Sequence, residues 1–200
     1  MNSILILGHS AGSSMHDPDF HILAQQLAPR GIAVLSIQFP YRIAGRRIAE
    51  RVHKSTVSFK QAVDYAKQFQ VPIFIGGRSY GGRVASHFLC EESSIHSFVS
   101  GCICLSFPLK TSKISDNSRG LHLKSLKVPL LVLQGDRDSM GHPSDITPLV
   151  NKEDKNTQVV TLEFADHGFK TLKKHTVSHH DILQQASIII YDWIKSIVKI

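Results

Sequence analysis

A glycine-rich turn between an apolar run and an amphipathic segment constrains this chain more than any other feature. Residues 71–75 form an apolar run, and residues 76–82 then contain four glycines. Apolar residues follow at helical spacing, at Val84, Ala85, Phe88 and Leu89. A short apolar run followed by a helical period predicts a buried strand, a very tight turn and a helix.

The turn contains the pattern Gly-x-Ser-x-Gly, with Ser79 between Gly77 and Gly81. A serine on a sharp strand-to-helix turn adopts strained backbone angles, and only glycine fits two residues before and after it. Its hydroxyl group is then exposed at the N-terminus of a helix, where amide groups stabilise negative charge. We interpret the turn as a nucleophile elbow. The alternative is a turn that only joins a buried strand to a buried helix.

Alternating strand and helix patterns predict the fold class. Five further apolar runs predict strands at residues 3–7, 32–37, 98–107, 128–134 and 157–164. Amphipathic segments between them predict helices that begin at Asp17, at Ser55 and at a capping box formed by Ser178 and Asp181. This alternation predicts an α/β fold with three layers, in which about six mostly parallel strands have helices on both faces. At 200 residues, the chain is expected to form a single domain over residues 1–200.

Composition excludes several classes of function. The net charge is +7, but the basic residues are spread along the chain, so nucleic-acid binding is not expected. No stretch of apolar residues is long enough to cross a membrane, and no signal peptide is recognised, so a cytoplasmic location is expected. The spacing of Cys102 and Cys104 predicts packed thiols on one face of a strand. The twelve histidines form no metal-binding motif, so no metal is expected.

Polar residues cluster after the predicted strands, where parallel sheets place their functional sites. Ser79, the segment that contains Asp136 and Asp138, and His167 each follow a different strand. A serine becomes nucleophilic when a base removes its proton and a carboxylate orients that base. The order serine, aspartate, histidine along the chain is that of the α/β hydrolases. The alternative for His167 is a surface histidine in a turn.

Four motifs carry a resemblance to this superfamily, and together they span nearly the whole chain. They are LGHSAG at residues 7–12, GGRSYGGR at 76–83, LQGDRD at 133–138 and ADHGFK at 165–170. The chain resembles small members without a cap domain, of the dienelactone-hydrolase kind. More narrowly, it is similar to a family typified by a testis-expressed mammalian protein and by the hydrolase-like part of a subunit of the NSL histone-acetyltransferase complex.

The resemblance implies specific site residues. The acid falls on Asp138, because the family's turn reads Gly-x-x-Asp and Gly135 begins that count; Asp136 is the alternative. The backbone amides of Ala11 and Tyr80 are implied as the oxyanion hole. The family often has His-Gly-x-Gly after its first strand, whereas this chain has a serine in the second position. The resemblance also implies that the first two strands of larger members are missing.

The predicted function is that of a serine hydrolase that cleaves an ester, thioester or related acyl bond without a cofactor. Alternatives are an interaction protein that kept the fold, and a lyase or haloperoxidase-like enzyme with the same triad. Arg78, Arg42 and Arg46 are predicted to line the pocket and to favour an anionic small-molecule substrate. The alternative for these arginines is an ordinary solvated surface.

Overall fold

A six-stranded parallel sheet forms the centre of the computed structural model, which describes residues 1–111 and 116–198. The strands follow one another across the sheet in the order β2-β1-β3-β4-β5-β6, and each neighbouring pair is parallel. Their bounds are β1 Ser3–Gly8, β2 Ile32–Ile37, β3 Ile73–Arg78, β4 Val99–Leu105, β5 Leu130–Gly135 and β6 Gln158–Leu162. The prediction of a parallel α/β sheet is therefore confirmed.

Helices cover both faces of the sheet. Their bounds are α1 Pro18–Leu27, α2 Pro40–Ile43, α3 Val52–Ala66, α4 Tyr80–Glu91, α5 Pro143–Ile146 and α6 His179–Val198. Helices α1 and α6 pack together on one face, and α3 and α4 pack together on the other. Among the described residues, no helix is both long and apolar enough to cross a membrane.

Alternation along the strands separates two apolar cores. In β4, Cys102 and Cys104 point to the face covered by α3 and α4, whereas Ile103 and Leu105 point to the face covered by α1 and α6. All four side chains are fully buried. Because successive side chains of a strand point to opposite faces, a wholly apolar strand is consistent with a sheet covered on both sides.

The helix starts agree with the predictions at two of three positions. Asp17 caps α1 through the amide of Asp19, and Ser178 and Asp181 exchange the hydrogen bonds of a capping box before α6. The prediction that Ser55 caps α3 was wrong, because this helix already begins at Val52. Ser55 is instead fully buried in the first turns of α3.

The connection from β4 to β5 is short and carries no cap domain within the described residues. The polar sequence of residues 110–124 has no strong periodicity, which predicts a loop with a short helix, and Ser118–Ser125 is a 3-10 helix. Residues 112–115 of the predicted loop lie outside the described residues. The prediction of a fold without a cap is confirmed in the part of the chain that the structure describes.

Candidate active site

Ser79 occupies the single residue between β3 and α4. Its backbone angles are φ +52° and ψ −110°, so this non-glycine residue lies in a sparsely populated region. The amide of Ser79 donates a 2.8 Å hydrogen bond to the carbonyl oxygen of Leu105 in the neighbouring strand. The strained turn is therefore held by the sheet and presents the serine hydroxyl group at the start of α4.

The two flanking glycines are required by close backbone packing. A Cβ atom at Gly77 or at Gly81 would overlap the carbonyl oxygen of Gly8, at the end of β1. The turn thus passes directly against the neighbouring strand, with no room for a side chain at Gly77 or at Gly81. This contact gives the Gly-x-Ser-x-Gly pattern a steric cause.

Ser79, His167 and Asp138 form a continuous chain of hydrogen bonds. The Ser79 Oγ atom lies 2.9 Å from Nε2 of His167, and Nδ1 of His167 lies 2.7 Å from Oδ2 of Asp138. The Asp138 side chain is fully buried, whereas 26% of the His167 side chain is exposed. A carboxylate that accepts from Nδ1 leaves Nε2 as the nitrogen that accepts the serine proton.

The two other aspartates in the predicted loops have different surroundings. Within the described residues, Oδ1 of Asp136 is buried without a hydrogen-bond partner. Oδ1 of Asp166 accepts from the amides of Gly168 at 2.8 Å and Lys170 at 2.9 Å. Asp166 therefore shapes the turn that carries His167, while Asp138 accepts the hydrogen bond that the imidazole ring donates.

Gln134 is a residue at this site that the sequence did not identify as functional. It is fully buried at the end of β5, and its Nε2 donates to Oδ2 of Asp138 at 2.7 Å. The same amide group bonds to the backbone of Phe107 and Gly141. Oδ1 of Asp138 accepts from the amide of Met140 at 2.8 Å. The carboxylate is therefore fixed by three donors, including His167.

Ala11 and Tyr80, whose amides are the predicted oxyanion hole, both line one open cleft. Tyr80 is the first residue of α4, so its amide has no intrahelical acceptor. Ala11 lies in the turn after β1, and its carbonyl oxygen accepts a 2.9 Å hydrogen bond from the Tyr41 hydroxyl group. Binding by these two amides of an oxygen atom that becomes negative during a reaction at Ser79 stays a prediction.

His9 anchors the turn that contains Ala11. Its ring is fully buried against Phe39, and Nδ1 donates to the carbonyl oxygen of Ser10 at 2.7 Å. Nε2 then accepts from the amide of Phe39 at 3.4 Å, which requires a neutral ring. Burial lowers the pKa of His9, in agreement with that neutral form. The histidine thus ties the turn after β1 to the segment after β2.

The comparison with protein families decides the classification. A family model described as an alpha/beta hydrolase domain matches residues 1–195. The chain belongs to the alpha/beta hydrolase family.

Solved structures of several other proteins share the fold at low sequence identity. Est1E from Butyrivibrio proteoclasticus, with ferulic acid bound, is 16% identical with a TM-score of 0.74; the match covers 100% of this chain and 90% of that one. A dienelactone hydrolase from Anabaena variabilis is 18% identical with a TM-score of 0.71, over 98% and 87% of the two chains. An alpha/beta serine hydrolase without a lid from Xanthomonas campestris is 16% identical with a TM-score of 0.64, over 99% and 81%.

Arg78, which was predicted to contact substrate, makes internal contacts in this alpha/beta hydrolase. Its guanidinium group is buried and pairs with the carboxylate of Asp19 in α1. It also lies over the ring of Phe169, two residues after His167. Oδ1 of Asp19 is 2.9 Å from Nε2 of His179, whose Nδ1 donates to the carbonyl oxygen of Phe169. This network connects the elbow, the His167 turn and the start of α6.

The two other predicted substrate arginines lie in the segment after β2. Arg46 is exposed and forms a 3.3 Å ion pair with Glu50, and Arg42 is half-buried in α2. Their contact with a substrate stays a prediction. Among the described residues, no group of three or more His, Cys, Asp or Glu side chains is arranged to hold a metal ion.

The supporting residues left little local signal in the sequence. Gln134 and His9 lie inside the motifs LQGDRD and LGHSAG, so the motifs marked their positions but not their contacts. Tyr41 and Asp19 lie in no motif. Their contacts join segments 30 or more residues apart, so no local pattern in the sequence could reveal them.

Proposed function

We propose that this alpha/beta hydrolase is a serine hydrolase that cleaves an ester, a thioester or a related acyl bond of a small molecule. The observation that supports the proposal most strongly is the hydrogen-bonded chain from Ser79 through His167 to Asp138, with distances of 2.9 and 2.7 Å. These three groups are the minimum that turns a serine hydroxyl group into a nucleophile at neutral pH.

In the first half of the proposed reaction, the enzyme takes up the acyl group. Nε2 of His167 removes the proton as Oγ of Ser79 attacks the carbonyl carbon, and the carbonyl oxygen becomes negative. The amides of Ala11 and Tyr80 bind that oxygen, while Asp138 stabilises the imidazolium ion. His167 then gives its proton to the leaving alcohol or thiol as the acyl bond breaks.

Water completes the reaction. His167 takes a proton from water as the water oxygen attacks the acyl-serine ester, and it returns that proton to Oγ of Ser79 when the acid is released. Because 26% of the His167 side chain is exposed, water can approach the ring from solvent. The hydroxyl, imidazole and carboxylate groups supply the whole proposed cycle, so the cycle requires no cofactor.

A labelling experiment tests the proposal directly. A fluorophosphonate probe reacts with activated serines, so it should label the wild-type protein and not Ser79→Ala. The matched control is Ser139→Ala, because Ser139 is an exposed serine next to Asp138 in sequence and makes no part of the hydrogen-bonded chain. This control should be labelled like the wild type.

A panel of acyl substrates then measures turnover. Loss of a triad group lowers kcat by about 10⁴-fold or more in serine hydrolases, so Ser79→Ala should lose nearly all activity. Equal labelling of wild type and Ser79→Ala, or no labelling of the folded wild-type protein, would contradict the proposal. The second of these results favours an interaction protein that kept the fold without its chemistry.

A further inference from the structure

An open cleft of about 420 Å³ borders Tyr80, the residue that follows the proposed nucleophile Ser79 in the chain. Ala11 and Tyr80 form part of its wall, and these are the residues whose amides are proposed to bind the oxyanion. The segment from Ala49 to His53, together with Arg83 and Arg119, forms the remaining wall. A substrate whose carbonyl group lies at Ser79 therefore has space for a substituent in this cleft.

Unpaired arginines distinguish this cleft from an ordinary basic surface. Arg83 belongs to α4 and Arg119 to the 3-10 helix that precedes β5, and both are half-buried. Within the described residues, neither forms an ion pair. In the same part of the chain, Nε of Arg83 and Nη1 of Arg119 are buried without a hydrogen-bond partner. A buried N–H donor without an acceptor lowers the stability of the fold. Proteins therefore seldom leave two neighbouring arginine side chains with unsatisfied buried donors.

The two guanidinium groups also act on each other. Burial and then the nearby charge of Arg119 lower the pKa of Arg83 to about 10, and burial lowers the pKa of Arg119. Both groups remain charged at neutral pH. The unfavourable energy of two like charges in a partly buried place is relieved when an anion binds between them.

Neighbouring groups do not neutralise the arginines. Glu50 also lines the cleft, but its carboxylate already accepts from Ser55 at 3.0 Å and from Arg46 at 3.3 Å. His53 lines it as well, and its ring is bonded to Glu91 at 2.8 Å. A third arginine, Arg51, adds positive charge to the wall of the cleft.

Two histidines next to Arg83 are held in the neutral form. Burial, with the charge of Arg83 among the further causes, lowers the pKa of His87 to about 4 and that of His122 to about 3. The rings stack with centroids 3.8 Å apart, an arrangement that suits neutral rings. At neutral pH these rings therefore add no positive charge that would compete with the arginines for an anion.

We propose that Arg83 and Arg119 form a subsite for a carboxylate or phosphate group of the substrate, away from the bond that is cleaved. The proposal rests on the proposed function and names the class of substrate: acyl compounds with an anionic substituent. Guanidinium groups bind such anions through paired N–H donors, which lysine does not offer. Arg83 and Arg119 take the role that the sequence had suggested for Arg78.

The kinetic test compares two esters that differ only in the anionic group. The substrates are p-nitrophenyl hexanoate and the mono-p-nitrophenyl ester of adipic acid, whose acyl chains are of equal length. We expect kcat/KM to be at least about tenfold higher for the adipate ester, as one or two charge-assisted hydrogen bonds would give. High salt should reduce this preference only in part, because the arginines are partly buried.

Matched variants assign the preference to the two arginines. Arg83→Gln and Arg119→Gln should each lower the adipate-to-hexanoate ratio about tenfold, and Arg83→Lys should lower it by less. The control is Arg47→Gln, which removes one charge from an exposed arginine outside the wall of the cleft and should keep the ratio. The melting temperature of Arg83→Gln should equal or exceed that of the wild type, because a repelling charge is removed.

Binding measured without catalysis separates this proposal from the proposed function. If neither ester is hydrolysed, the proposed function fails, and the subsite is tested by calorimetry with adipate and with inorganic phosphate on Ser79→Ala. Binding that is lost on adding Arg83→Gln supports the subsite, and the tighter of the two anions identifies the substituent. Absence of binding of both anions overturns it. Equal rates for the two esters, or an equal loss of preference in Arg47→Gln, would also overturn it.

Discussion

Replacing Gln134 by methionine should test how the acid of the site is held in place. Methionine keeps the length of the side chain but removes its amide group. In the wild type this amide makes three hydrogen bonds of 2.7 Å, to the amide of Phe107, to Oδ2 of Asp138 and to the carbonyl oxygen of Gly141. All of these partners belong to buried residues. The amide group of Gln134 also donates to the carbonyl oxygen of Phe107 at 3.4 Å, so the change leaves four buried polar groups each with one partner fewer.

The cost in stability follows from those lost bonds. A buried polar group that loses its partner costs roughly 1–3 kcal/mol, and part of this is offset by the apolar thioether. We expect the free energy of unfolding to fall by about 2–5 kcal/mol, which for a protein of this size lowers the melting temperature by roughly 5–15 °C. Urea denaturation followed by circular dichroism measures the change.

The pH dependence of activity should change as well. Without the hydrogen bond from Gln134, the ionised carboxylate of Asp138 is less stabilised. It should then accept a stronger hydrogen bond from Nδ1 of His167 and favour the protonated imidazole ring. The acid limb of kcat/KM should then move to higher pH by about one unit or less, with a kcat reduced about tenfold. Steady-state kinetics over the pH range in which the variant stays folded would show the shift.

If Gln134 had a purely structural role, its replacement would lower stability without changing the pH profile of activity. Leu131→Ala creates a cavity in the same strand, where Leu131 is fully buried, and should cost a similar 2–5 kcal/mol. It does not contact Asp138, so its pH profile should match that of the wild type. If Gln134→Met loses stability but keeps the wild-type profile, our argument that Gln134 positions the acid is refuted.

Three further predictions concern the aspartates, the ion pair behind the elbow, and acid stability. Asp138→Asn should lower kcat by about 10⁴-fold, and Asp136→Asn by far less, because the imidazole ring bonds to Asp138. Arg78→Met should lower the free energy of unfolding by about 3 kcal/mol or less, because the carboxylate of Asp19 then keeps only His179 as a charged partner. His122→Phe should reduce the loss of stability below pH 6.5, because burial holds the pKa of His122 at about 3 in the folded protein and only the unfolded chain takes up a proton in this range.

Each of these predictions has a measurement and a contradicting result. Steady-state kinetics on both asparagine variants compare the acids, and a larger loss in Asp136→Asn would reverse the assignment. Urea denaturation measures Arg78→Met, whose double variant with Asp19→Asn should recover part of the loss; no recovery would contradict the ion-pair argument. Denaturation from pH 7 to pH 4 compares His122→Phe with the exposed control His180→Phe, and equal slopes would contradict the last prediction.

Local patterns in the sequence were sufficient for the fold class and for the elbow. Wholly apolar strands and amphipathic helices can be recognised within a few residues, because side-chain periodicity reflects which faces are covered. The glycine pattern around Ser79 can also be recognised locally, although its steric cause is the carbonyl oxygen of Gly8 in the neighbouring strand. The start of α3 could not be predicted in the same way, since Ser55 bonds to Glu50 and Tyr80 instead of capping the helix.

Only the tertiary structure decided which polar groups meet. The choice between Asp136 and Asp138 depends on the direction in which each side chain leaves a turn, and His167 reaches that turn from 29 residues away. Arg78 and Arg83 flank the same elbow, yet Arg78 is paired with Asp19, whereas Arg83 lines an open cleft and has no ion-pair partner among the described residues. Their sequence neighbourhood is shared, whereas their electrostatic surroundings come from α1 and from the 3-10 helix before β5. Contacts between distant segments determine those surroundings, so a local sequence pattern does not predict them.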